Sequence, residues 1–501
     1  MANTIQLLPL GSSFVQILPK HNLREAICNI EQRWKLRCVA NKQIDYSITK
    51  KASSYYKPSS WSHEFMMSVG DDNWKEVSKE SSIKKLEEAV KYMLDDERME
   101  PLDILQLIDE IQRLGLGYRF RESTKCAFNR IIHSGKVMKK IDHSIHTCAL
   151  YFTLLRQHGY EISAGTYSLR RCRNSDFNFY KHLHCILFCS WWKDVGLANK
   201  LHFARDRLME SFFWSVGMVF EPQFSECRKG LTKVVKLITI IDDVYDVYGS
   251  LEELEQFTDA VERWDINALH HLPGCMKICF LALYNTINNM AYDVLKEQGQ
   301  VILTQLTKVW ADLCRLFLKE AQWSCNKHIP TFDEYLSMGW LSSSGPLLLV
   351  HAYFLMNKNI TNDEIECFNG YRALLRYPST IFRLCNDLSS SKAEIERGET
   401  ANAISCYMHE KSVSDEVARE YIKSLIDENW KMINKELVSN SIFSESFIEI
   451  AINLARIAQC HYQYGNAHSD PNDITRNRVL SVIIEPIQLT QPYRNLKLSV
   501  N

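Results

Sequence analysis

Apolar residues recur every three or four positions along most of the chain. From Lys75 to Leu116 the series Ile83, Leu86, Val90, Met93 and then Leu105, Ile108, Ile111, Leu114 predicts amphipathic helices with those residues facing inward. Pro101-Leu102-Asp103 starts the second of them, because the missing proline N–H is harmless in a first turn. Residues 118–162 continue as helices ending near Gly159. Between Ser163 and Phe179 the pattern fails: Gly165, Arg170, Arg171, Arg173, Asn174 and Ser175 leave no apolar face. This stretch is a loop or junction and the best domain boundary. From 180 onward long helical windows return, and Pro222, Pro273, Pro330, Pro346 and Pro378 are expected to mark their ends or kinks. No alternation is long enough to build a sheet, so the pattern predicts an all-α fold.

Composition agrees. Gly at 18 and Pro at 12 are few for 501 residues, about half the usual share of helix breakers. A formal net charge of -1 argues against a dedicated nucleic-acid binder. No run approaches the roughly 20 apolar residues of a membrane-spanning helix. The 16 Cys include no C-x-x-C pair, and Cys185/Cys189 and Cys275/Cys279 sit four apart in apolar stretches. They read as buried thiols in a reducing compartment. The pairs His143/His146 and His182/His184 lack partners at zinc spacing. Residues 1–44 carry six Lys/Arg against Glu25 and Glu31, without a continuous apolar core. That balance resembles an organelle transit peptide more than a secretory signal.

The chemistry concentrates in two places. In Ile240-Ile241-Asp242-Asp243-Val244-Tyr245-Asp246 three carboxylates close an apolar helical run. Asp242 and Asp246 share a helix face, while Asp243 points about 100° away. Crowded like charges beside apolar residues call for a cation. Downstream, Asn386, Ser390 and Glu394 stack along one face at about 6 Å intervals. An amide, a hydroxyl and a carboxylate make a second oxygen-only site, suited to Mg²⁺ completed by water and phosphate. Arg383 lies three residues before Asn386, and Arg205-Asp206-Arg207 adds guanidinium groups upstream. Together these groups describe a cage for a diphosphate.

The segments Trp191-Trp192-Lys193-Asp194-Val195-Gly196-Leu197, Phe203-Ala204-Arg205-Asp206-Arg207, Glu221-Pro222-Gln223, Asp242-Asp243-Val244-Tyr245-Asp246-Val247-Tyr248-Gly249 and Cys406-Tyr407-Met408-His409-Glu410 resemble a plant class I terpene synthase. The resemblance covers nearly everything from 50 to 490 and is greatest to the angiosperm monoterpene branch, which includes hemiterpene relatives. It implies a C-terminal catalytic helical bundle (176–501), a shortened α-barrel-like N-terminal helical domain (46–175) and a plastid transit peptide (1–45). It also implies three Mg²⁺, or Mn²⁺, held by Asp242, Asp246, Asn386, Ser390 and Glu394. Diphosphate would be contacted by Arg205, Asp242, Arg383 and Asn386, with Asp242 and Asp246 as the catalytic aspartates and Asp243 behind them. The implied activity is ionisation of a prenyl diphosphate, geranyl diphosphate first, by a monomer without nucleic-acid or membrane partners. Phe213, Trp214, Trp323, Tyr407 and Tyr462 are candidate aromatic walls for the carbocation.

Three departures from the family pattern carry expectations of their own. An arginine pair eight residues before Trp61 is replaced by Lys51-Ala52 beside Lys50, losing the bidentate fork. Since that pair is tied to isomerisation before cyclisation, an acyclic product is favoured. Tyr464-Gly465-Asn466-Ala467-His468 places an amide where relatives carry Asp. After Ser163 several expected helices are missing, which should expose apolar faces. Three alternatives stand beside this reading: a chain-elongating prenyltransferase, a sesquiterpene or hemiterpene synthase, and a truncated chain of little activity. The first would need an aspartate-rich motif where Asn386–Glu394 stands.

Overall fold

The computed structural model describes residues 59–62, 65 and 77–134, parts of 150–160, and 191–356 apart from 199 and 202. It further describes 360, 364, 368, 373–397, 401–438, 443–466, 468 and 472–484. The proposed transit segment, Lys50 and Lys51, the junction 163–179, Cys185/Cys189 and the two His pairs lie outside these residues.

The described chain is helical, as the periodicity predicts. In order it forms α1 (Val77–Asp95), α2 (Pro101–Arg113), α3 (Arg121–Ser134), α4 (Leu208–Met218) and α5 (Ser225–Asp243). Then come α6 (Leu251–Arg263), α7 (Gly274–Gln298), α8 (Leu303–Cys325), α9 (Phe332–Ser342) and α10 (Gly345–Met356). The series closes with α11 (Ala373–Arg397), α12 (Ala403–Lys411), α13 (Asp415–Val438), α14 (Glu445–Tyr462) and α15 (Asp473–Val479). Pro101 occupies a first turn as expected. Ser250 and Glu253 close a capping box at α6, and Asn402 with Ser405 does the same at α12. Pro378 departs from expectation. It lies inside α11, which runs on through it to carry Arg383 and Asn386; packing of α11 against α9, α13 and α14 overrides the missing N–H.

Two helices have no solvent face. Every residue of α4 is buried, as are Gly345–Phe354 of α10. They form the centre against which α5, α11 and α14 pack. Where α4 crosses α14, Gly217 lets the backbones approach: a Cβ there would meet Ile457 at 2.5 Å.

A separate apolar core lies under α1–α3, built from Leu94, Leu105, Ile108, Ile111, Phe128 and Ile131. The α2 face was therefore read correctly up to Ile111, but Leu114 is exposed. The α1 reading is corrected more strongly. Leu86 is 64% exposed and Met93 37%, while Leu94 turns inward. Periodicity identifies an apolar stripe but not whether anything covers it. None of the described helices is long and apolar enough to cross a membrane. The described cysteines are free, and Cys275 and Cys279 are buried.

Candidate active site

Asp242 is the penultimate residue of α5, and the chain continues into a π-helical turn, Val244–Tyr248, that carries Asp246. The turn is closed by Gly249 N–H donating to the Val244 carbonyl at 2.9 Å. Such single π turns are frequent at functional sites. Asp246 is exposed and Asp242 partly so, whereas Asp243 is fully buried.

Asp243 faces Arg205. Its Oδ2 accepts from the Arg205 backbone N–H at 2.7 Å, and its Oδ1 lies 2.7 Å from Nε. The same guanidinium reaches Asp242 Oδ2 with Nη2 at 2.5 Å. Burial pushes the Asp243 carboxyl up to about 6, and Arg205 pulls it the other way. The reading of Asp243 as a residue behind the outward pair agrees with this geometry.

On α11, Ser390 Oγ donates to the Asn386 carbonyl at 2.8 Å and also to Glu394 Oε1. Asn402 Nδ2 reaches Glu394 Oε2 at 3.4 Å. Arg383 donates from Nε to the Gly339 carbonyl at 2.9 Å and from Nη2 to Ser342 Oγ at 3.0 Å. Its Nη1 approaches Asn386 Oδ1 at 3.4 Å and Asp387 Oδ1 at 3.5 Å. Burial works against the Arg383 charge, but Tyr335, Glu320, Asp387 and Glu394 hold it well above its usual range.

Tyr462 links the two halves. Burial raises its hydroxyl. Arg383, Asp242 and Arg205 all act on it electrostatically, and it is hydrogen-bonded to Asn386. The α5 and α11 groups therefore face one another across a common space. Trp214 stands behind Tyr462 at 6.0 Å between ring centres, with Phe382 at 4.7 Å from Trp214. Of the other proposed aromatic walls, Phe213 is buried in the same core as Trp214 and Phe382. Trp323 packs with Phe332 and Tyr335, and Tyr407 stacks on Tyr421 at 4.1 Å.

Four residues around the site escape the sequence reading. Glu320 of α8 accepts from Ser342 Oγ at 2.5 Å, lies 3.9 Å from Arg383, and feels Asp242 and Asp387. Nothing in its sequence neighbourhood marks it. Phe382 precedes Arg383 directly, a signal that was available. His461 and His468 form a buried pair, Nε2 to Nδ1 at 2.7 Å, against the edge of Trp214. Burial drives His461 down to about 3 and His468 well below its normal value. A surface depression lined by Gln256, Asp259, Arg263, Ala268 and His271 lies apart from these groups.

Among the described residues no three His, Cys, Asp or Glu side chains converge on one point. The side chains of both faces offer oxygen atoms, donors that suit Mg²⁺ better than zinc.

Two family models match the chain. "Terpene synthase, N-terminal domain" matches residues 60–187, and "Terpene synthase family, metal binding domain" matches 193–432. The chloroplastic isoprene synthase of Populus alba is 43% identical over 97% of this chain and 99% of its own length. The chloroplastic myrcene synthase of Quercus ilex is 38% identical over 90% of this chain and 92% of its own. Among solved structures, isoprene synthase of grey poplar, in complex with three Mg²⁺ ions and dimethylallyl-S-thiolodiphosphate, superposes with a TM-score of 0.74. It is 42% identical, over 86% of this chain and 99% of that one. The Populus alba alignment spans 591 positions against the 501 residues here, so at least 90 of them have no residue in this chain. With an all-helical architecture, both domain models and relatives matched nearly end to end, the chain belongs to the terpene synthase family.

Proposed function

We propose that this chain ionises an allylic prenyl diphosphate, geranyl diphosphate first, and releases diphosphate and an acyclic monoterpene. The observation that carries this reading is the pairing of Arg205 with Asp242 and of Arg383 with Asn386 around one space. Each guanidinium stands beside an oxygen group that would hold a cation, so positive charge lines the space from α11 and from the segment that precedes α4. Asp242 and Asp246 on one side, and Asn386, Ser390 and Glu394 on the other, would hold three Mg²⁺. Glu320, beside Ser342 and Arg383, would add a further carboxylate. Bound divalent cations would supply Lewis acidity toward the diphosphate oxygens.

The protein's own groups do the rest. Arg205 and Arg383 donate hydrogen bonds to the leaving diphosphate, which takes the C–O electron pair as the bond breaks. Trp214, Phe382 and Tyr462 present aromatic faces to the allylic cation, each worth roughly 0.5–2 kcal/mol. Their packing also keeps water from quenching it to an alcohol. Transfer of a proton from the cation to the released diphosphate then gives the neutral alkene. Domain limits at 46–175 and 176–501, plastid import through residues 1–45 and a monomeric state belong to the same proposal; the relatives cited here are named chloroplastic.

A five-carbon substrate is a second reading. It is favoured by the close Trp214–Phe382 contact and by the identity to isoprene synthases. Purified protein offered C5, C10 and C15 diphosphates with Mg²⁺ separates them by volatile analysis. The proposal expects fastest turnover of C10 to an open-chain alkene. Faster C5 turnover establishes the second reading, faster C15 turnover a sesquiterpene role, and no product from any of them a chain disabled by its shortened interior.

A further inference from the structure

Lys236 is a fully buried cation that the reaction just described does not use. It lies seven residues before Asp243 on α5, two turns along the same face. Both side chains reach the segment that precedes α4. Lys236 Nζ donates to the Arg205 carbonyl at 2.5 Å, while Asp243 accepts from the Arg205 N–H at 2.7 Å. One helix face thus grips both ends of the Arg205 residue, and Asp242 and Asp243 take its guanidinium. The ammonium also lies 3.5 Å from Asp206 Oδ1 and 4.4 Å from the centre of the Trp192 ring.

A buried ammonium is costly, and an apolar side chain would fill the same space without desolvation. What it adds is a strong donor to a carbonyl outside any helix. We infer that Lys236 is a positioning residue: it clasps the Arg205 backbone so that the guanidinium stays aimed at the diphosphate. This inference rests on the diphosphate reading above. Burial lowers the lysine to about 8, with Asp206 and Asp243 opposing, Arg207 reinforcing and Glu210 opposing. The clasp is therefore charged at neutral pH and weakens just above pH 8, because a neutral amine is a poorer donor.

The test measures binding of inorganic diphosphate with Mg²⁺ by calorimetry, beside steady-state kinetics, on the full chain. Lys236→Met keeps the straight stem against Trp192 and removes the donor. Its diphosphate affinity should fall about tenfold and KM rise in step, with kcat within about threefold and thermal stability undiminished. Lys236→Arg, which restores a donor, should recover part of the affinity. Parent-like affinity and KM in Lys236→Met would overturn the clasp alone. Absence of Mg²⁺-dependent diphosphate binding by the parent chain would overturn the diphosphate reading and the clasp together. Should Lys236→Met not fold, Asp206→Asn decides: loss of that carboxylate should move the alkaline fall in diphosphate affinity to lower pH, and an unmoved profile overturns the inference.

Discussion

Asp387 stands to Arg383 on α11 as Asp243 stands to Arg205 beside α5. Each is fully buried and directly follows an outward oxygen group, Asn386 or Asp242. Each lies against the guanidinium that borders the common space, at 3.5 and 2.7 Å. Asp387 is further fixed by the Tyr335 hydroxyl at 2.7 Å and the Ala403 N–H at 2.9 Å. The two halves of the site thus share one plan: an outward ligand, a buried acid behind it, and an arginine held between.

This plan separates chemistry from scaffolding. Asp246→Ala alters an exposed carboxylate, so turnover should fall by about a hundredfold or more while the melting temperature stays within a few degrees. Asp242→Ala should be equally inactive. Parallel rate and melting measurements check both, and near-normal turnover in either would remove these residues from the site.

The buried acids should behave the other way. Asp243→Ala and Asp387→Ala each take a buried carboxylate away from a desolvated arginine, and breaking such a pair costs about 3–5 kcal/mol. Denaturant unfolding should show that loss. A change under 1 kcal/mol would mean that solvent reaches the guanidinium.

Glu394→Ala removes the one carboxylate from the Asn386–Ser390–Glu394 face and one of the two acceptors for Ser390. The Mg²⁺ concentration giving half-maximal rate should rise several-fold, and Glu320→Gln should shift it in the same direction. Metal titrations that overlay the parent curve would exclude both residues from cation binding.

Acid should destabilise the protein through its buried imidazoles. His461 sits near 3, and His468 well below its usual value, because both are desolvated. Between those values and about 6.5 the unfolded chain binds protons that the folded chain refuses. Stability is therefore whole above about pH 6.5 and is lost as pH falls toward 3. The His461→Gln, His468→Gln double variant should flatten the fall in melting temperature between about pH 7 and 5. His351, fully buried and near 4, keeps a residual slope. Parallel curves for parent and variant would contradict this account.

How far the site could be read beforehand follows from the range of each signal. Asp242/Asp246 and Asn386/Ser390/Glu394 are local patterns of a few turns each, so spacing alone proposes them. The π turn at Val244–Tyr248 was not legible, because a spacing of four fits an α or a π turn equally. Glu320 and Lys236 are each an ordinary charge on a helix, given meaning only by what the fold brings opposite. The exposed Leu86 and Met93 show the same limit for packing: a stripe predicts a helix, not its cover. Restoring a family-length segment after Ser163 should raise solubility and melting temperature, and equal values would show that the short form is tolerated.

The central claim is Mg²⁺-dependent ionisation of an allylic diphosphate with loss of a proton. Its most direct test counts both products in one sealed reaction: volatile alkene by gas chromatography and free diphosphate by enzymatic assay. With geranyl diphosphate and Mg²⁺ the two should appear in equal amounts, and both should vanish with chelator or in Asp242→Ala. Diphosphate release without alkene, or release that chelator and Asp242→Ala leave unchanged, would contradict the account.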